Sequence, residues 1–458
     1  MKRLSAFDLM FLRLETLEWP CHFGGLAVVE GEPLLDETGQ LRIPEITERL
    51  EPRLTNVPQL RRRLLMPGPL GGRPLWVDDP RFQIDRHVFQ TPVAFPGGDA
   101  ELLEAAAHVC ERPLRRSRPL WELWFFAGMP DGHVGVMLKL HHAVADGMAA
   151  VAIMGALFDL APDAADPAPV PWVPASLPSE RSLVADNLWT KWEAVRRTAV
   201  QMLEPGFAER AWTSAGRLRR IGASYAGRNE DLQAPRTSLN RPVRAGRRVR
   251  RLRLDLAAMK EVAHAHDGKV NDVVLDLWAG GIRRLLVSRG ERVDGIELIT
   301  SVPVSLRDEA DAGVVENRSG WIALALHAWE PDAGRRLHLI VPRTRATKAV
   351  QSPDAIAGFM AALAATPLAR WYTTHQHTSN TVVTNVPGPP VPLYFFGARV
   401  VELIPIIELV GNVGLTLCAF SYDGEISLAV TADATTFPDL DVLMEGMEEE
   451  WRALVGST

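Results

Sequence analysis

HVGVMLKLHHAVADG, residues 133 to 147, joins two patterns that decide the fold. From His133 to His142 almost every position is apolar and the alternation is weak, which predicts a strand buried on both faces. From Gly147 the chain reads GMAAVAIMGALFDL (147–160), an apolar helix. A buried strand feeding directly into a helix is the grammar of an α/β (α+β) chain.

Between strand and helix stand two histidines, with Asp146 four positions after the second. Asp146 occupies the N-cap position, where a carboxylate satisfies free helix N–H groups. Neighbouring strand residues point to opposite faces, so His141 and His142 are badly placed to share one ion. A metal site of His141, His142 and Asp146 is therefore the weakest of three readings. Two others stand: core histidines beside a cap, or a catalytic base at a strand end facing a cleft. Imidazole suits the second role because its ordinary pKa is about 6.5.

The chain has 458 residues, 47% hydrophobic and 23% charged, enough for more than one core. Its net charge of −6 argues against nucleic acid as a general partner and leaves any basic surface local. Three scattered cysteines offer neither a CxxC pair nor a disulfide ladder, and the N-terminal stretch is interrupted by Asp8, Arg13 and Glu15. A reduced, cytoplasmic protein is the expectation, with no signal peptide and no spanning helix.

Further elements sort the chain into parts. GGLAVVEG (24–31) predicts a strand, and IPEITERLEPRL (43–54) and ELLEAAAHVCERPL (101–114) predict helices. Six prolines between Pro162 and Pro178 mark a stiff surface linker. LVADNLWTKWEAVRRTAVQML (183–203) predicts an amphipathic helix with Trp189 and Trp192 beside basic residues, and a similar stretch follows to Tyr225. Eight arginines fall between Arg236 and Arg253. They read as a solvated face, a phosphate-binding stretch or a contact for anionic lipid headgroups. The α/β pattern then resumes with strands at 247–256, 296–307 and 380–390, a helix at 271–290, a hairpin at 413–433 turning on Asp423-Gly424, and a closing helix at 437–455. The division is 1–160, a linker with amphipathic helices at 161–240, and 241–458.

HHxxxDG is the signature of the coenzyme A-dependent acyltransferase superfamily. LSAFDLMFLRLE (4–15), SRPLWEL (117–123), APRTSLNRPVRAGRR (234–248), Asn271-Asp272, VPVSLR (302–307), NVPGPP (385–390) and SYDG (421–424) follow in an order that resembles bacterial wax ester synthase/acyl-CoA:diacylglycerol acyltransferases over nearly the whole chain. Arg115, where that pattern has an aspartate, and Glu316, where it has a glycine, depart from it.

The resemblance implies two chloramphenicol-acetyltransferase-like domains with an active-site tunnel at their interface. It implies transfer of a long-chain acyl group from acyl-CoA, a co-substrate beside which no cofactor is needed, to diacylglycerol or a fatty alcohol. His142 is then the base that takes the hydroxyl proton. No GxSxG nucleophile motif occurs, so direct transfer without an acyl-enzyme is expected. His141 supports the loop from the other side of the pleat, Asp146 holds it, and Gly147 lets the helix start approach closely. Asn271 and Asp272 read as helix caps or substrate contacts, Trp121 as a core anchor or a substrate contact, and Asn385 as a turn residue or a site residue. Greasy substrates imply peripheral contact with a membrane or lipid-droplet surface. A condensation-type enzyme using a carrier-protein thioester, and a non-catalytic lipid-binding protein, are the alternatives.

Overall fold

The strand of the opening stretch, β6 (His133–His141), lies inside a six-stranded sheet of the computed structural model, which describes residues 3–457 apart from 207–208, 210–211, 214–215, 217–232, 306–318, 351–357 and 359. β6 pairs antiparallel with β1 (His22–Glu30) on one side and β5 (Trp121–Ala127) on the other. β4 (Val88–Pro92) extends the sheet in parallel beyond β5. A two-stranded ladder of β2 (Arg62–Leu65) and β3 (Leu75–Asp78) stands apart. All of β6 after His133 is buried, as its composition demands.

The two faces of this sheet differ. Met137 and Lys139 face α3 (Asp99–Cys110), whose C-terminal carbonyls need donors. The buried Lys139 ammonium supplies them, donating to Val109 O at 2.9 Å and Arg112 O at 2.5 Å. On the other face Val136, Leu138 and Leu140 meet α2 (Ile43–Arg53) and α4 (Gly147–Leu157) in one core. α4 ends at Leu157, three residues short of the apolar run, because Asp159 leaves the helix to pair with Tyr394.

A second six-stranded sheet runs β7 (Arg247–Asp255), β14 (Glu425–Asp433), β13 (Leu415–Tyr422), β10 (Thr381–Val386), β8 (Leu298–Ser305) and β9 (Ser319–Leu326). It is covered by α6 (Leu256–Ala265), α7 (Val270–Ser288), α8 (Ala333–Val350) and α10 (Leu440–Ser457), while α9 (Ala369–His375) precedes β10. The buried Trp278 of α7 donates to Thr381 Oγ1 at 3.1 Å and so ties helix to sheet.

The lobes do not part where composition changes. β11 (Tyr394–Phe395) and β12 (Ala398–Ile406) come from the second half of the chain and complete the first sheet, β12 pairing antiparallel with β1. The boundary at 241 is therefore crossed by 394–406. Pro405 is tolerated in β12 because its outer side there meets no strand. The proline-rich segment is pinned, not free: Asp166 meets Arg49 and Arg53, and Trp172 lies under Arg61. α5 (Glu180–Leu203) follows it, with Leu183 its one buried residue. Most of the stretch to Tyr225 lies outside the described residues.

The arginines from 247 to 253 fall on β7, the edge of the second sheet, and are taken up locally. Arg250 meets Asp441, Arg251 meets Asp99 and Glu402, Arg253 meets Glu425, and Arg247 donates to Glu18 O. Arg236, Arg241 and Arg244 are exposed.

The hairpin β13–β14 turns on Asp423 and Gly424 as expected, with φ of 45° and 85°. A Cβ at Gly424 would meet nothing within 4 Å, so backbone conformation alone opposes a side chain there. Gly424→Ala should lower unfolding stability by about 1–2 kcal/mol, read by denaturant titration.

Candidate active site

His142 follows the last residue of β6, and the pleat aligns it with Leu140, Leu138 and Val136, all of which line one cavity. That cavity, about 360 Å³, lies between the lobes. From the first half of the chain come Phe7, Met10 and Phe11 of α1 (Ala6–Leu14), the cavity face of β1 and β6, and Ala150, Val151 and Met154 of α4. Ser301, Pro303, Trp321, Thr384, Val386, Thr416 and Cys418 face them from the second sheet. The lining is overwhelmingly apolar. Asp146, Gly147 and Glu408 join His142 in it.

The imidazole of His142 is fixed on several sides. Phe11 stacks on it at 4.3 Å between ring centroids and 7° between planes, and Phe23 meets it edge-on at 5.0 Å. Its backbone N–H donates to Cys21 O at 3.0 Å, continuing the β1–β6 ladder by one step. Nε2 lies 3.2 Å from Glu408 Oε1.

Glu408 was not legible in the sequence, and topology explains its arrival. β12 and β6 both run antiparallel to β1, so their C-terminal ends lie at the same edge of the sheet: Gly24 pairs with both Ile406 and Lys139. Two residues past Ile406 comes Glu408, and three past Lys139 comes His142. The signal that was available is a lone carboxylate in the apolar run LIPIIELV (403–410), which burial would force to find a partner.

The charges of this pair support each other. Burial favours neutral imidazole, yet Glu408, and after it Asp146, outweigh that and raise the His142 pKa above its usual value. Burial likewise works to raise the Glu408 carboxyl, and His142 overcomes it and lowers it.

His141 points the other way. Its Nδ1 accepts from the Ala143 N–H at 2.9 Å and its Nε2 faces Glu15 Oε1 at 3.3 Å. Arg116 holds the second Glu15 oxygen at 2.6 Å. Histidine, glutamate and arginine thus tie the loop after β6 to the end of α1, and His141 and His142 diverge to opposite faces, as the pleat requires. Among the described residues no three His, Cys, Asp or Glu side chains are grouped to hold a metal.

Asp146 caps α4, accepting from the Ala149 N–H at 2.9 Å. A Cβ on Gly147 would stand 3.1 Å from Val386 Cγ2, so glycine lets α4 approach the second sheet there. The structure does not bring Trp121, Asn271, Asp272 or Asn385 to the cavity lining. Trp121 is a buried anchor that donates from Nε1 to Leu60 O at 2.6 Å. Asp272 accepts from the Lys269 N–H at 2.8 Å in a capping box that starts α7, in which Asn271 sits half-buried. Asn385 sits on β10 between Thr384 and Val386, and alternation turns those two, not Asn385, into the cavity. Of the two departures from the family pattern, Arg115 is exposed beside a second cavity and Glu316 lies outside the described residues.

Residues 4–274 match the wax ester synthase/diacylglycerol acyltransferase catalytic domain, and residues 315–454 match the C-terminal domain of the same group. A putative diacylglycerol O-acyltransferase of Mycobacterium tuberculosis is 30% identical, covering 99% of this chain and 90% of the relative. A probable diacylglycerol O-acyltransferase of the same species is 30% identical over 99% of this chain and 96% of its own length. The wax ester synthase/diacylglycerol acyltransferase of Marinobacter aquaeolei VT8 superposes with a TM-score of 0.71 at 23% identity, covering 99% of this chain and 98% of that one. The first condensation domain of the calcium-dependent antibiotic synthetase superposes at 0.61 with 18% identity, covering 99% and 96%. The two-lobed fold is thus shared with both.

The Glu15 link has a pH signature. Burial raises the Glu15 carboxyl, but His141 and Arg116 more than offset this and hold it at about 2, below its ordinary 4.5. A depressed folded-state pKa gives stability that is present above 4.5 and lost as pH falls toward 2. Thermal melts of Glu15→Gln should start lower at neutral pH and decline less steeply than wild type across that window. Parallel melting curves for the two proteins would remove the link.

Proposed function

This chain belongs to the wax ester synthase/diacylglycerol acyltransferase family, and on that premise we propose that it moves a long-chain acyl group from coenzyme A to the hydroxyl of diacylglycerol or a long-chain alcohol, with His142 as the base. The activity is O-acyl transfer from acyl-CoA, as family membership states. The observation that carries the residue assignment is one imidazole, paired with one carboxylate, in an otherwise greasy cavity between two lobes.

A neutral alcohol is a weak nucleophile. His142 takes the hydroxyl proton as the oxygen attacks the thioester carbonyl, the C–S bond breaks, and the imidazolium returns the proton to the departing thiolate. Ester and free coenzyme A balance the step, and no covalent acyl-enzyme is needed. Glu408 holds the ring by its Nε2 and offsets the positive charge it gains, which matters more in an apolar cavity than in water. His141, bound back to Ala143 and facing Glu15, keeps the loop in place without meeting substrate.

Both substrates partition into lipid, so the protein has to collect them at a surface. No helix of the described residues is long and apolar enough to cross a membrane. α5 instead exposes Leu188, Trp189, Trp192 and Val195 beside Lys191 and Arg197. Tryptophan with basic residues on a helix that buries little of itself suits the interface of a membrane or lipid droplet.

Released coenzyme A, measured with palmitoyl-CoA, should depend on added diacylglycerol or hexadecanol. His142→Ala should cost roughly 10²-fold or more; near-wild-type turnover in that variant would remove His142 as the base. Glu408→Gln should cost at least about 10-fold in kcat through lost positioning. Neutral imidazole is the working form, so activity rises with pH through the His142 pKa. Removing the carboxylate that raises this pKa should move the acidic limb of the kcat/KM profile to lower pH, and an unmoved limb would deny Glu408 that role.

The surface reading has its own test. Trp189→Ala with Trp192→Ala should weaken flotation with anionic vesicles and lower turnover of vesicle-borne diacylglycerol, while sparing a short, water-soluble alcohol. Equal loss on both acceptors would argue against it.

A further inference from the structure

At the β4 edge of the first sheet a second cavity, of about 400 Å³, is lined by Arg81, Arg86, Arg115 and Arg118 around His87, with Asp79 the lining carboxylate. Many arginines of this protein are balanced within contact distance. The half-buried Arg250 and Arg284 each meet a carboxylate, and so do Arg49, Arg53 and Arg289. This cavity is different. Asp79 is shared with Arg63 at 3.5 Å, and Arg118 has Glu122 at 3.6 Å. Among the described residues no carboxylate forms an ion pair with Arg81, Arg86 or Arg115.

The floor adds no negative charge. His87 is buried, stacks on Trp121 at 4.5 Å, and donates from Nδ1 to Trp121 O at 2.9 Å. Burial first, with Arg118 and Arg86 adding to it, holds its pKa down to about 4, so the ring is neutral. Arg118 is itself fixed, donating to Arg86 O at 2.5 Å. Three unpaired guanidinium groups around one concavity repel each other and are relieved by an anion that accepts several N–H bonds at once. Phosphate oxygens match guanidinium forks in shape as well as charge.

Position narrows the source. The His87 carbonyl accepts from Leu123 N on β5, and β5 pairs with β6 through Trp121 and Leu140. The cavity floor therefore stands two strand spacings, about 10 Å, from the strand end that carries His142, at the same end of the sheet. A pantetheine arm is long enough to bridge that separation.

We propose that this cavity binds a phosphate monoester, a class that includes the 3′-phosphate of the acyl-CoA donor. The assignment to the donor rests on the acyl-transfer reading above, whereas the phosphate chemistry does not. The same chemistry is carried by the headgroup of phosphatidic acid and by free phosphate, so the experiment separates the three.

Calorimetric titration of the full chain with adenosine 3′,5′-bisphosphate and with inorganic phosphate is compared with flotation on phosphatidylcholine vesicles with and without phosphatidic acid. Arg86→Gln and Arg115→Asp, both at exposed positions, are checked for intact folding by melting temperature; Arg241→Gln is the control. Tight binding of the bisphosphate, weakened at least tenfold by each cavity variant and untouched by the control, identifies the donor. The same variant pattern confined to phosphatidic acid vesicles, or to inorganic phosphate, identifies the lipid or the free ion and keeps the site. Binding to none of these probes, or binding indifferent to Arg86 and Arg115, overturns it. Because none of these readings needs turnover, failure here leaves the acyl-transfer reading standing, and the reverse holds too.

Discussion

Strand β12 enters the first sheet from the far half of the chain, and six register pairs with β1 hold it there. The cavity depends on that insertion. A sheet built only from the first half would leave β1 as an edge, with its ladder groups unpaired beside His142. The insertion also fixes which way Glu408 faces. A slip of one residue along β1 would turn every β12 side chain over, moving Leu403 out of the core it shares with Val400. Burial on β12 therefore specifies the register, and the register carries the carboxylate to the imidazole. Tyr422 supports the same join from the second sheet, donating to Val400 O at 3.1 Å and accepting from Leu393 N at 2.8 Å.

Local chemistry was legible because it obeys local rules. Alternation along β6 placed His142 and His141 on opposite faces, Asp146 was a recognisable cap, and Asp423-Gly424 a recognisable turn. Other features have partners far away in sequence, and they stayed hidden. Glu408 sits in a run with no motif of its own. Glu15 reads as one more charge near the end of an N-terminal helix, yet it is held between His141 and Arg116. Lys139 reads as an exception in an apolar strand until α3 supplies the carbonyls it satisfies. In each case the residue type signalled that a partner was required, and only the fold said which. Asn271, Asp272 and Asn385 illustrate the reverse: their blocks resemble the family's, while their placement is that of a helix start and of a strand face turned from the cavity.

Density of charge in sequence proved a poor guide to free charge in space. Arg250, Arg251 and Arg253 of β7 lie on an edge strand, where long side chains reach carboxylates of β14, β12, α3 and α10. They hold lobes and helices together across the edge. Arg81, Arg86 and Arg115, which have no carboxylate partner among the described residues, come from two separated loops and converge only once β4 lies beside β5. An ion-paired guanidinium has already met its counter-charge and offers little to a ligand.

The cavity combines opposing demands, and the pair of His142 and Glu408 reconciles them. Long acyl chains need an apolar wall, but taking a proton from an alcohol creates an imidazolium, and an isolated cation in apolar surroundings costs several kcal/mol. A wall without charge would bind the chains and resist the chemistry. A wetter site would ease the charge and let water compete with the alcohol for the thioester. One carboxylate at 3.2 Å lets the positive charge appear without admitting solvent, because it arises beside a negative charge already in place. The arrangement needs Glu408 to be ionised before the hydroxyl arrives, and the lowered carboxyl pKa beside the raised imidazole pKa meets that condition. The stacked ring of Phe11 and the edge of Phe23 then leave the imidazole little freedom to turn away, so that orientation is settled before the substrates meet.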